Sequence, residues 1–514
     1  MKKLFFAATL LSSWGVSMAQ TPEDALRYSW IPASGTARSQ GIGNANGAIG
    51  GEISTIFSNP ANIGFYKTGD FVISGGANII NNNSTYLGAS NKESKSTGFL
   101  GTTGFVLGSP KYGHGKVKSS AFGIAINRLA DFNNRVVYSN KGGQLSRTSM
   151  ADYFIEDAIN SNQLNSYGSN LAMQAGWIKE DGTAPDGSTR LGSPSVNLIE
   201  NGAGLEQRQV ITTNGGINEL AIAGAVNLNE KVFLGGTLGF PMLRYGSTRQ
   251  FTEQDPTTNN NGFDAAWFDD DLVTKGVGFN IKAGLVYKAS DNLRLGFAAH
   301  SPTFYSLSDS YIASAGANLD AGPNGDRTYT SNELLYDYNL NTPYKLLGSF
   351  SLLFGNVHDV STQKGFISGD IEYVNYMASK FRTANNDNGT NNGYFNGLNS
   401  AIDNAYKGAV NARLGTELKF NTVAVRFGGA YYGNPYQNIA GEKGELIQAT
   451  GGLGYRNRGF FIDLGYVHSF GKDIAFPYRI DPNFYSNPRA GYTNNPASIK
   501  SNNARVLLTL GFKI

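Results

Sequence analysis

Ser39–Tyr66 reads SQGIGNANGAIGGEISTIFSNPANIGFY. The stretch is rich in Gly, Ala and Asn, it does not alternate like a strand, and it carries no long apolar stripe at helical spacing. About 450 residues follow that read as one long series of alternating strands. A compact, Gly-rich segment ahead of so large a β-structure predicts a plug packed inside a barrel, with the rest of the chain as its wall.

The residues before the plug set its context. Met1–Ala19 has a positive start (Lys2, Lys3), an apolar core (Leu4–Leu11) and small residues at Ser17 and Ala19, the pattern of a secretion signal. The mature chain is expected to begin near Gln20, with a hatch over residues 20–68 and a barrel over 69–514. Pro22-Glu23-Asp24 ahead of Ala25–Tyr28 predicts a short helix start. Tyr28, Trp30, Ile31, Phe57 and Phe65 make the segment too apolar for a solvated tail.

Composition narrows the class. Only 16% of the 514 residues are charged, and Gly (65), Tyr (27) and Phe (31) are abundant, yet mean hydropathy is −0.27. No internal run of 18 apolar residues exists, so spanning helices are excluded. That balance fits a transmembrane β-barrel, whose strands are apolar on one face only. A secreted propeller would need a blade-length repeat, and none is present. The absence of Cys excludes disulfides, thiol chemistry and lipidation near Gln20. Without Lys2 and Lys3, the 42 basic residues become 40 against 39 acidic, which offers nothing to nucleic acid.

From Gly69 onward, period-2 patterning predicts fourteen strands: Gly69–Ile80, Thr97–Gly108, Ser120–Tyr138, Ile217–Leu228, Val232–Arg249, Gly276–Lys288, Asn292–Thr303, Thr342–Phe354, Lys364–Phe381, Gly408–Phe420, Thr422–Gly433, Leu446–Tyr455, Gly459–Phe470 and Arg505–Ile514. Most are near the length a tilted strand needs to cross a bilayer. In Gly408–Phe420, Val410, Ala412, Leu414, Leu418 and Phe420 oppose Asn411, Arg413, Glu417 and Lys419. A charge on the lipid face would cost about 2–4 kcal/mol at midplane. Arg128, Lys282, Arg294, His300, Arg413, Glu417 and Arg426 are therefore expected to line the lumen, where an Arg can also hold a carboxylate.

Connections alternate between short and long. Asn81–Ser96, Ser139–Gly216, Gln250–Lys275, Phe304–Asn341, Arg382–Lys407, Asn434–Glu445 and Gly471–Ala504 are the long ones. This is the turn-and-loop pattern of an outer-membrane barrel, with the long loops outside and both termini periplasmic. Ser139–Gly216 is too long for structureless coil, and Met150–Asn165 has apolar residues near helical spacing, so short external helices are expected there. Phe512 and Ile514 close the chain on one face, where such barrels usually end on an aromatic.

The plug also carries a resemblance. Gly43-Asn44-Ala45 followed by Glu52-Ile53-Ser54-Thr55-Ile56-Phe57-Ser58-Asn59-Pro60-Ala61 resembles the N-terminal hatch of the FadL/OmpP1/TodX family, with Asn62 where that family usually has Gly. Gly296–Pro302, Asn341–Leu347 and Arg426–Pro435 resemble its "YHSP", "TPxxL" and "RxGxxYxxxP" segments, in the family's order. The resemblance implies a fourteen-stranded outer-membrane channel for long-chain fatty acids and other hydrophobic molecules. It places gate residues at Gly43, Asn44, Phe57, Asn59, Pro60 and Ala61. Its partners would be outer-membrane lipid, a hydrophobic small molecule and, during biogenesis, the barrel-assembly machinery.

Enzyme signatures are missing. His114, His300, His358 and His468 are scattered without metal-ligand spacing, and there is no G-x-S-x-G elbow or Walker loop. His300 with Ser301 or Ser306 is the one pair to test for hydrolase chemistry. No cofactor is called for, and a haem receptor lacks clustered His. The Asn runs Asn81–Asn83, Asn259–Asn261 and Asn385–Asn388 read as hydrated loop tips. Two functions remain in play: a passive channel gated by the hatch, and a plugged barrel serving as a structural subunit of an outer-membrane complex.

Overall fold

The period-2 patterning becomes a wall of fourteen antiparallel strands in the computed structural model, which describes residues 20–111, 115–183, 189–257, 259–320, 327–355, 363–384, 392–437, 444–485 and 489–513. The strands are β1 (Asp70–Tyr86), β2 (Ala89–Leu100 and Thr103–Pro110), β3 (Val117–Asp131 and Asn134–Ser139), β4 (Glu206–Leu228), β5 (Val232–Gln254), β6 (Ala265–Lys288), β7 (Leu293–His300 and Phe304–Asn318), β8 (Leu334–Asn341 and Lys345–Gly355), β9 (Gln363–Asn375 and Lys380–Thr383), β10 (Gly408–Phe420), β11 (Val423–Tyr432), β12 (Leu446–Asn457), β13 (Phe460–Ala475) and β14 (Ala497–Lys513). Each pairs with its sequence neighbour, and β1 pairs with β14 from Asp70↔Lys513 to Thr85↔Ser498, which closes the barrel. Closure removes every sheet edge.

The expected facing holds. Val277, Phe279, Ile281, Leu285 and Tyr287 of β6 point outward and are exposed, as are Val410, Leu414, Leu418 and Phe420 of β10. Asn280, Lys282, Asn411, Arg413 and Glu417 point inward and are buried. So large an apolar outer belt needs lipid against it. No described helix is long and apolar enough to cross a membrane. The leader, His114, His358, Asn385–Asn388 and Ile514 lie outside the described residues.

Three of the expected long loops are mostly strand. Asn81–Ser96 is a hairpin that turns at Leu87 and Gly88. Gln250–Lys275 and Phe304–Asn341 are largely continuations of β5, β6, β7 and β8. β4, β5 and β6 reach 23, 23 and 24 residues, whereas a tilted strand needs about 9–11 to span a bilayer. The excess length stands clear of the apolar belt. There a strand needs no apolar outer face, so Asn81–Asn83 and Ser308–Ser310 lack the pattern that identifies a spanning strand. Asn82 is buried, donating to Asn134 Oδ1 (2.6 Å) and accepting from Ser501 (2.7 Å).

The projecting strands carry a cap. Helix α3 (Met150–Ser161) forms where its apolar spacing predicted, and α4 (Ser169–Ala175) and α5 (Pro194–Glu200) join it. Together they bury Phe154, Ile155, Trp177, Val196 and Ile199 against Phe251 and Ala266. Glu253 sits at the centre, fully buried. It accepts hydrogen bonds from Ser149 Oγ, Met150 N (3.1 Å), Trp177 Nε1 (3.0 Å) and Gln207 Nε2 (3.2 Å). Four donors on one carboxylate reduce the penalty of burying it without cancelling it, and burial still pushes the carboxyl up to about 7.

Glu156 of α3 ties the residues after β13 to the cap, accepting from Tyr492 OH and from Asp481 N (2.9 Å). Burial pushes its carboxyl up from 4.5 to about 7, against the pull of those two donors. The folded cap therefore holds the proton more tightly than the open chain does. The stability that this buried carboxyl lends the cap is fully present below about pH 4.5 and is lost as pH rises through 7, because burial outweighs the two bonds that favour the ionised form. Amide exchange in α3, corrected for intrinsic rates, should be slower at pH 5 than at pH 8. Equal protection at the two values would show that Glu156 does not govern that stability.

Candidate functional site

The N-terminal segment runs through the lumen. Gln20 donates to Asp309 Oδ2 (2.7 Å) on the stretch of β7 nearer the long loops. Tyr66 ends the segment beside Gly108, next to the short connections. The first described residue and Lys513 thus lie toward opposite ends of the barrel, not at one end as expected. Between them come α1 (Pro22–Arg27), α2 (Ala37–Gly41) and 3-10 turns at Ile53–Phe57 and Pro60–Phe65. Short, Gly- and Asn-rich turns suit a segment enclosed by strands, because their backbone groups must find partners without a sheet of their own.

Many of those partners lie in the plug's own turns, and the wall supplies others. Ala37 N donates to Thr509 Oγ1 (2.8 Å), and Gly47 N to Asp370 (3.2 Å). Thr450 Oγ1 donates to Gly41 O (3.1 Å), and Thr237 Oγ1 to Ile56 O (3.0 Å). The Arg294 guanidinium donates to Ile49 O and lies over the Phe65 ring at 4.5 Å. His300 Nε2 meets Ser58 O at 2.6 Å.

The wall is also cut away to receive the plug. A Cβ on inward-facing Gly235, Gly284, Gly296, Gly415, Gly428 or Gly465 would come within 3 Å of a plug atom, backbone at every one of these positions except Gly284. Gly43 answers from the plug side. It sits at φ +65, and a Cβ there would be 2.7 Å from Gly429 O. Only Gly meets both conditions.

A buried ion network crosses the same boundary. Glu417 of β10 accepts from Arg38 of the plug (2.8 Å) and from Arg426 of β11 (2.7 Å). Arg426 also meets Asp463 of β13 (2.7 Å), and Arg38 reaches Glu52 (3.5 Å). Arg426 is fully buried, and Glu417 and Asp463 are 1% exposed.

Of the gate residues expected from sequence, all six belong to the seated body. Asn44, also at positive φ, donates to Ala33 O (2.8 Å) and accepts from Ser39 Oγ (3.0 Å). Asn59 is the most connected. Its Nδ2 donates to Gly47 O (2.7 Å) and Leu285 O (3.2 Å), while its Oδ1 accepts from Ala61 N (3.2 Å). Asn62, which replaces the expected Gly, adds bonds to Gly47 O (2.9 Å) and Asn59 O (3.0 Å). Pro60 starts the last turn, Ala61 packs on Phe233 and Val286, and Phe57 lies in the apolar cluster around Val106 and Ala221.

The expected lumen charges divide into groups. Glu417 and Arg426 share the network above. Lys282, His300 and Arg413 line one cavity with about 100 Å³ of space between residues 28–34, the plug body and the wall, room for several waters. There Lys282 pairs with Glu219, and Arg413 lies 3.5 Å from Asp370 and 3.7 Å from Glu372. Arg128 stands apart, bonded to Asp131 (3.3 Å) and Gly215 O (2.6 Å), as does Arg294. His300 and Ser301 form no dyad, since Ser301 Oγ donates to Pro302 O (2.8 Å). Arg38, Glu52, Glu219, Asp370, Glu372 and Asp463 were missed. The alternation that exposed Glu417 would also have found Asp370 and Glu372.

Above the plug the mouth is filled. Helix α6 (Asn392–Ala405) lies over α1, and its Phe395, Leu398 and Ile402 enter a buried cluster with Tyr305, Tyr338, Leu340, Tyr376 and Phe381 of the wall. Arg382–Lys407 had been expected to be loop. The polar composition of α6 (Asn396, Asn399, Ser400, Asn404) hides its narrow apolar stripe.

A closed fourteen-stranded barrel with an apolar outer belt and a plug seated from within is a plugged transmembrane β-barrel. Solved structures share this architecture. A Pseudomonas aeruginosa FadL homologue superposes with a TM-score of 0.54 at 13% identity, covering 94% of this chain and 99% of that one. The Pseudomonas putida toluene transporter TodX (TM-score 0.48, 14% identity, 94% and 99% covered) and the Ralstonia pickettii toluene transporter TbuX (0.46, 14%, 94% and 99%) are more distant. At such identities the likeness to the FadL homologue establishes the fold. No family model and no curated protein matches the sequence.

Proposed function

We propose that the chain is an outer-membrane channel for passive uptake of hydrophobic small molecules, captured here with its route closed. The barrel mouth carries this reading: an aromatic-rich apolar interior, filled by α6, inside a lipid-facing barrel and above an N-terminal plug. The fold shared with the FadL homologue supports it. The hatch, Gly43 to Ala61, would be the lower barrier, and Asn59 the residue whose bonds must rearrange for passage. Proteoliposomes containing the protein should take up radiolabelled toluene or a pyrene-labelled long-chain fatty acid faster than protein-free vesicles. Equal rates for both probes would refute the reading.

One observation favours the structural alternative. The plug is fixed by a cut-away wall and buried ion pairs, as a permanent stopper would be. A subunit role requires a stoichiometric partner, which mass measurement after gentle detergent extraction would reveal.

A further inference from the structure

The apolar mouth is occupied by the protein itself, and the manner of occupation is informative. Phe395, Leu398 and Ile402 recur at i, i+3 and i+7, which puts them on one face of α6. All three are buried, while Asn396, Ser400, Asp403 and Asn404 on the other face are exposed. The buried face sits among wall rings: Phe395 stacks near Phe381 (6.3 Å between centroids, 16° between planes) and faces Tyr336 (6.3 Å). From below, Ala25, Leu26 and Tyr28 of the plug close the same cluster.

Among the described residues, polar ties of α6 to the wall and the plug flank its apolar face. Asn399 exchanges two hydrogen bonds with the Phe381 backbone (2.8 and 3.0 Å), Lys380 pairs with Asp403 (2.6 Å), and Tyr394 OH donates to Gln20 O (2.8 Å). Lys380 and Asp403 are both partly solvated, so that pair holds weakly. This contrasts with the Arg38–Glu417 pair of the plug below, which is buried. The chamber is moreover not fully satisfied by α6. Trp30 Nε1, packed against it, and Ser379 Oγ beside Phe381 have no hydrogen-bond partner among the described residues.

We propose that α6 is an intramolecular occupant of the barrel mouth, whose Phe395–Leu398–Ile402 stripe competes with an uncharged ligand having an alkyl or aromatic body and one hydrogen-bond acceptor. The ligand's body would take the place of the three side chains among Tyr338, Tyr376 and Phe381, and its acceptor would satisfy Trp30 or Ser379. Occupation by the helix shields the apolar wall from water when no ligand is present, and a ligand binds only by displacing it. This deepens the channel reading above and rests on it for transport, though not for binding.

The chain has no Cys, which makes the test clean. Lys380→Cys and Asp403→Cys joined by a short, thiol-cleavable bis-maleimide lock α6 down. Uptake of tritiated dodecanol into proteoliposomes is then measured beside photolabelling with a diazirine-bearing dodecanol, mapped by mass spectrometry. In the unlocked protein, label is expected on Tyr338, Tyr376 or Phe381. Locking should lower both uptake and labelling at least tenfold, and cleaving the linker should restore them. If the unlocked protein transports but locking changes neither readout, α6 is not a competitor and the proposal falls. If the protein does not transport at all, the channel reading fails, and the labelling decides alone: lock-sensitive label in the chamber upholds the occupant, and label absent or insensitive overturns it.

Discussion

Replacing Glu417 by Ala should lower the stability of the seated barrel by roughly 3–5 kcal/mol, the range for removing one partner of a buried ion pair. Glu417 forms ion pairs with both Arg38 and Arg426. Without it, among the described residues Arg38 keeps its ion pair with Glu52 at 3.5 Å and Arg426 its pair with Asp463. Because Arg38 belongs to the plug and the other two to the wall, the loss falls on the boundary between them. Denaturant titration of the purified protein should show the shift, with protease sites in residues 35–66 exposed first. The control is Arg38→Met combined with Glu417→Leu. It removes both charges, leaves Arg426 with Asp463 and Glu52 with the hydroxyls of Thr36 and Ser54, and should recover part of the loss, as apolar replacement of buried pairs often does. A double variant no better than Glu417→Ala would mean that Glu417 acts other than as a counter-ion.

The second large effect is expected from Gly284→Val. Gly284 faces inward on β6, where a Cβ would overlap Asn59 Oδ1 and stand 3.0 Å from Pro60 Cδ. Val brings two further methyls to a place with no room for one. The wall cannot give way, since β6 is hydrogen-bonded to β5 and β7 along this stretch. The plug must move instead, and Asn59 then loses its bonds to Gly47 O and Leu285 O. Overpacking of this kind costs about 3 kcal/mol, and confined to the plug it should speed amide exchange roughly a hundredfold. Gly51, Ala61 and Asn62, whose N–H groups bond within the plug, are the reporters. Unchanged exchange at all three would show that residues 59–61 are not seated on Gly284. Gly284→Ala should give a smaller effect in the same direction.

Legibility followed the solvent each segment faces. β6 and β10 were readable because lipid on one side and a polar lumen on the other impose a period of two on Val277–Tyr287 and Val410–Phe420. All fourteen predicted strands are present, but their outer limits were not readable, since above the lipid belt neither face must be apolar and Asn81–Ser84 looks like loop. The plug was legible as a plug from its composition. Its seat was not, because a glycine such as Gly284 or Gly415 is silent about what approaches it until both chains are placed. The charge network was half legible. Alternation picked out Glu417 and Arg426, while Arg38 and Glu52 lie in a segment without periodicity. The acceptor of His300, a backbone carbonyl at Ser58, is invisible to any motif.

The threading of the plug through the lumen bears on how the molecule comes into being. Ala37 is bonded to Thr509, 472 residues later, and Gly41 to Thr450, 409 residues later. The segment made first is thus completed by the strands made last. Contacts of such separation form slowly, because chain entropy is lost before they give anything in return. Residues 20–68 complete their contacts only when the strands from β10 to β14 are in place, so seating of the plug and completion of the barrel are thermodynamically one event.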